Sequence, residues 1–175
     1  MPYAGRASRS ARTATRADRV YSSSNRCCRD ASVIPLSHQH HNGLALCVLV
    51  RRSLSTDSSP QNVTKQALRA IDRFELELVN HFEIEEQVLF PACGSMPLVV
   101  ELLAQHRAIE TFIAQLRTAP SINLLEQFCE LLSKHIRLEE NELFEQAQRA
   151  LPRDVLDQLG SEIDRRAVRI CLTVD

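Results

Sequence analysis

Three short segments of the chain carry the same two chemistry-bearing side chains at the same spacing: His81-Phe-Glu-Ile-Glu85, His106-Arg-Ala-Ile-Glu110 and His135-Ile-Arg-Leu-Glu139. On a helix, a separation of four residues puts an imidazole and a carboxylate on one face, about one turn apart, so both can reach one point. One such pair is ordinarily a solvated surface pair. Three of them on consecutive helices, with a further His cluster at His38, His40 and His41, predict titratable groups converging inside the fold. Burying them without a cation would cost several kcal/mol each, so a metal is the natural compensation. Four His and at least two carboxylates exceed one tetrahedral zinc and are too nitrogen-rich for calcium or magnesium. The set suits two iron or manganese ions, with one or two Glu bridging, imidazoles in terminal positions and a coordination position open to a small molecule.

The elements that position these groups are read from apolar periodicity. In a first helix, Leu36, His40, Leu44, Cys47, Val50 and Leu54 recur at steps of three or four, which makes His40 the inward choice and His41, one step round, the second. Ser59 and Pro60 open a second helix of about 28 residues that Pro91 is expected to end, its inward stripe running Ala67, Ile71, Phe74, Leu78, His81, Glu85 and Val88. A third starts near Pro97 and faces inward through Val99, Leu102, Leu103, His106, Ile109, Ile113 and Leu116. A fourth, from about Ile122 to Leu151, does so through Leu124, Phe128, Leu131, Leu132, His135, Leu138 and Glu139. Short connections make neighbours antiparallel, so the expected fold is all-α: an up-down four-helix bundle over residues 31–151. An extra C-terminal helix, from about Arg153 to Val168, is expected within 152–175, packed across the bundle or capping one end.

Composition bounds the function classes. The chain has 175 residues, four Gly and no Trp, and its longest apolar run, Gly43 to Val50, is far short of the roughly 20 residues of a bilayer-spanning helix. Residues 1–30 hold seven Arg against Asp18 and Asp30 and almost no large apolar side chains, so they are expected to be a disordered basic tail. The remainder is acidic, which disfavours nucleic-acid binding. Six Cys form no CxxC pair, which predicts reduced thiols and a cytoplasmic setting. Cys47, Cys93 and Cys129 read as core residues, and the adjacent Cys27-Cys28 pair as incidental.

The run Pro35-Leu-Ser-His-Gln-His-His-Asn-Gly-Leu-Ala-Leu, the segment from His81 through Glu85-Glu86 to Pro91, and the later His106 and His135-Ile-Arg-Leu-Glu139-Glu140 resemble the hemerythrin-like, or HHE cation-binding, family over about residues 31–150. The resemblance implies a four-helix bundle with a non-haem di-iron centre on His40, His81, Glu85, His106, His135 and Glu139, where Glu85 and Glu139 would bridge. Oxygen-carrying members have a second His four residues after the third-helix His. Here that position is Glu110, a candidate extra ligand that would make the site more anionic, stabilise ferric iron and favour sensing, iron handling or redox chemistry over reversible O2 carriage. Glu86 and Glu140 are expected to support or be solvated rather than ligate. The leading expectation is a binding or sensing module for O2, NO or iron itself, with a protein partner unidentified. The alternatives are a ferroxidase or peroxide-consuming di-iron enzyme, and a structural bundle loaded with zinc or manganese.

Overall fold

The computed structural model describes residues 29–169. The expected disorder of the tail up to residue 28, the Cys27-Cys28 pair and the end of the chain from residue 170 lie outside the described residues.

Helix α1 is Ile34–Thr56, preceded by a tight turn, Ala31–Val33, whose first amide groups are capped by the Asp30 carboxylate accepting from the Ser32 N–H at 2.9 Å. Helix α2 is one rod over 60–93, made of Pro60–Arg73, Val79–Ile84 and Phe90–Cys93 joined by two wide π-helical turns, Phe74–Leu78 and Glu85–Leu89. It starts where the Ser59 hydroxyl accepts from the Asn62 N–H, and it ends at Gly94, whose φ of 63° few other residues adopt at low cost. Helix α3 is Pro97–Thr118. Helix α4 covers 122–150 as Ile122–Leu138 and Phe144–Ala150 around a third wide turn, Glu139–Leu143, with Ser121 as its cap. Helix α5 is Arg153–Arg166.

Packing links α1 with α2, α2 with α3, α3 with α4 and α4 back to α1, which closes the up-down bundle. Helix α5 lies across one end, burying Leu156, Leu159 and Ile163 against the Ala31–Val33 turn and α2. There Gly160 is obligatory: a Cβ would sit 2.8 Å from the Ser32 Cα. No helix among the described residues is long and apolar enough to cross a membrane.

Two apolar clusters fill the interior. One, around Val50, Ile71, Ile113, Leu125 and Phe128, fills the half away from α5, and the other joins Leu36, Ile84, Leu102, Leu143 and Phe144 to Leu159 and Ile163. Between them lies a layer of buried polar groups: His40, His81, Glu85, His106, His135 and Glu139. Cys47, Cys93 and Cys129 are buried free thiols, as expected of core cysteines.

Two boundaries differ from the sequence reading. Helix α2 runs through Pro91 instead of stopping there, because the π turn before it has the Phe90 N–H reaching back to the Glu85 carbonyl, which opens the helix where the proline ring would otherwise clash. Arg29 and Asp30 belong to the folded body and not to the tail. Asp30 pairs with Arg153 at 2.6 Å and its N–H donates to Gln148 Oε1 at 2.7 Å, while Arg29 pairs with Glu140.

Candidate metal centre

Each of the four helices brings one His to the polar layer, and α2 and α4 each add the Glu one turn on. His81 and Glu85, like His135 and Glu139, flank the point where an α-helical stretch passes into a π turn. Glu85 and Glu139 face the interior by ordinary α-helical spacing, and the extra residue of the π turn that begins at each rotates the stretch beyond it, so that Leu89 and Leu143 also reach the core.

All four imidazoles aim Nε2 at the two carboxylates. His81 Nε2 lies 3.0 Å and His40 Nε2 3.8 Å from Glu85 Oε1, while His106 Nε2 is 3.2 Å from Glu85 Oε2. Glu139 Oε2 stands 3.0 Å from His40 Nε2 and 3.4 Å from His135 Nε2, and the Nε2 atoms of His106 and His135 are 3.2 Å apart. The atoms form two sets, His40, His81, Glu85, Glu139 and Glu85, His106, His135, Glu139, in each of which the ligand atoms lie within 4.8 Å of one another. Both Glu belong to both sets.

The fit to a cation can be tested on the polar atoms themselves. Every one of these six side chains is at most 2% exposed, yet His40 Nε2, His81 Nε2 and both oxygens of Glu85 and of Glu139 have no hydrogen-bond partner. Unpartnered buried carboxylate oxygens are costly unless something positive sits among them. Two ligands at about 2.1 Å from one ion and at right angles are about 3 Å apart, which matches the separations found here. Without a cation the groups compete for protons. Burial and the Glu85 charge push the Glu139 carboxyl up to about 8. Burial would lower His40, but Glu139 and Glu140 outweigh it and raise the imidazole to about 9, while burial holds His135 well below its usual range.

The other nitrogen of each ring is held in turn. His40 Nδ1 meets Glu140 Oε1 at 2.7 Å, and His106 Nδ1 meets Glu86 Oε1 at 2.9 Å. His81 Nδ1 meets Gln39 Oε1 at 2.9 Å, and His135 Nδ1 meets Gln105 Oε1 at 3.2 Å. These acceptors fix the tautomer that leaves Nε2 free to coordinate. The two halves are built alike. In each, a Gln-His pair on one helix is matched by a His-x3-Glu-Glu-x2-Leu-Phe run on the next, at 39–40 with 81–90 and at 105–106 with 135–144. Phe144 stacks on His40 at 5.5 Å between ring centres, and Phe90 stacks on His106 at 5.6 Å.

Of the residues proposed from sequence, the structure brings together His40, His81, Glu85, His106, His135 and Glu139. His38 and His41 are exposed, so the choice between His40 and His41 falls to His40. Glu110 is not brought to the cluster. Its side chain is 42% exposed and is held at the surface by Arg107 at 2.8 Å, so the more anionic ligand set inferred from it is not what the geometry provides. The sequence reading missed Gln39 and Gln105. The signal for them was the Gln directly before each of two His, visible only once 106 is matched with 40, and not with 81 and 135.

No curated protein and no solved structure matches the chain. A family model described as the hemerythrin HHE cation binding domain matches residues 33–147, the span that holds all six converging side chains. On that match and this geometry, the chain belongs to the hemerythrin HHE cation-binding family.

Proposed function

We propose that the protein holds two non-haem iron ions and uses them to bind O2, NO or iron itself for sensing, storage or a redox response. The observation that carries this reading is the pair of His2Glu2 sets sharing Glu85 and Glu139. Four imidazoles and two bridging carboxylates supply four donors per ion, fewer than the six that iron accepts, and imidazole with carboxylate suits iron or manganese. Such an ion pair would supply open coordination positions and exchangeable electrons. The chain's own groups orient the donors: Glu86, Glu140, Gln39 and Gln105 hold each ring with Nε2 inward, and Phe82, 3.8 Å from the His106 ring in a parallel stack, shields the layer. The enclosed setting favours a diatomic molecule or peroxide over an organic substrate.

The test is metal analysis of anaerobically purified protein followed by optical spectra after exposure to O2, NO and peroxide. Two iron atoms per chain and a new band with O2 or NO are expected. A single metal, or zinc that iron cannot displace, would contradict the proposal, and sustained peroxide turnover would move the protein to the enzymes.

A further inference from the structure

The two carboxylate-held imidazoles are each backed by an arginine, but the two arginines come from different kinds of structure. Glu86, which holds His106, is bound through its second oxygen by Arg107 at 2.6 Å, and Arg107 sits in the middle of α3 beside the His it supports. Glu140, which holds His40, is bound through its second oxygen by Arg29, and its first oxygen also accepts from the Ser37 hydroxyl at 2.8 Å. Arg29 precedes every helix of the described structure. Its guanidinium also lies 5.1 Å over the centre of the Phe144 ring, the ring that stacks on His40. One side chain therefore touches both groups that fix the His40 imidazole, the carboxylate at its Nδ1 and the aromatic face beside it. What keeps Arg29 there is the next residue, whose carboxylate and N–H are tied to Arg153 and Gln148.

We infer that Arg29 is a positioning residue for the His40 half of the centre, a latch supplied by the N-terminal segment whose release loosens one cation and not the other. This rests on the two-metal reading. In the His106 half the same task falls to a residue whose backbone is fixed in the middle of a helix, so that its guanidinium stays within reach of Glu86. In the His40 half it falls to a residue in a non-helical stretch, tied to the rest of the bundle through the contacts of Asp30 with Arg153 and Gln148. When Arg29 leaves, Glu140 loses the partner of its outer oxygen and the Phe144 face is uncovered, so the Nδ1–H of His40 meets water and the ring is free to turn.

The full chain loaded with zinc, a diamagnetic probe, tests this. Solvent exchange of the imidazole Nδ1–H protons is read by NMR, and zinc release to excess chelator is followed in time. In Arg29→Ala, the His40 proton should exchange faster while that of His106 does not change. One of the two zinc ions should leave about tenfold faster, the lower end of what loss of a supporting partner costs. Arg107→Ala should do the reverse, and Arg29→Lys, which keeps the charge without the flat stacking face, should fall between. Unchanged exchange and release in Arg29→Ala would overturn the inference. So would equal acceleration of both halves, which marks general loosening. A wild-type chain that takes up neither zinc nor iron would instead refute the metal reading, and the latch with it.

Discussion

Gln39 holds none of the converging Nε2 or carboxylate atoms, yet it should set how tightly one cation is held. Its Oε1 accepts from His81 Nδ1 at 2.9 Å, and its amide donates to Asn80 Oδ1 and to the Val168 carbonyl. Gln39 and His81 are 2% and 1% exposed, so water cannot replace a missing partner. In Gln39→Leu the side chain keeps its bulk but accepts nothing. The orphaned imidazole N–H then costs about 1–3 kcal/mol in the apo and loaded forms alike. The loaded form loses more, since removing the group that orients a ligating His weakens metal binding by about 10–100-fold, or about 1.4–2.7 kcal/mol. Competition titration with a chromophoric chelator should show one site weakened by that factor and the other, built on His106 and His135, nearly unchanged. The apo protein should melt a few degrees lower. Gln39→Glu, which restores an acceptor, should recover most of the affinity. Two sites of wild-type affinity in Gln39→Leu would refute the reasoning, because they would show that the His81 ring needs no outer acceptor.

Particular contacts set the remaining expectations. His81→Ala and His135→Ala should each lose metal by elemental analysis, whereas His38→Ala and Glu110→Ala, which alter exposed side chains, should retain it. The hydrogen bond from Arg153, with that from the Ser32 N–H, holds the Asp30 carboxyl at about 2, below its ordinary value near 3.9. A carboxylate depressed in the folded state contributes stability above its unfolded value and loses it as the pH falls towards 2. Wild type should therefore lose stability more steeply than Asp30→Asn between about pH 4 and 2 in acid titrations followed by circular dichroism, with the variant less stable at neutral pH. Gly160→Ala must push the Ala31–Val33 turn away from α5. Destabilisation of about 1–3 kcal/mol is expected in denaturant melts, and a neutral result would mean that α5 does not pack as closely as 2.8 Å requires.

The four bundle helices and most of their inward stripes were legible because apolar periodicity is a local property, and Ser59, Pro60 and Ser121 punctuate it with caps that act within one turn. Val88, read as inward, is half-buried, and Leu89 takes the core position because a π turn begins at Glu85. The six converging side chains were legible for the same reason: each lies on its own helix's stripe. What was not legible depends on contacts between distant segments or on departures from ideal helical geometry. Pro91 signals a stop to any reading that assumes 3.6 residues per turn, and only the π turn beginning at Glu85 removes the clash. Glu110 satisfies the spacing of a ligand, yet Arg107 draws it to the surface. Arg29 looks like one more basic residue of the tail until Glu140 and Phe144, more than a hundred positions away, are placed beside it.

The claim on which the rest depends is that Glu85 and Glu139 each serve two cations. Iron X-ray absorption on the loaded protein measures this most directly, because it reports both the donors and any second metal nearby. Nitrogen and oxygen donors with a metal–metal distance of about 3.5–4 Å, as in other two-metal sites, are expected at two iron atoms per chain. An iron environment without a second metal at that range, in protein carrying its full complement of metal, would contradict it.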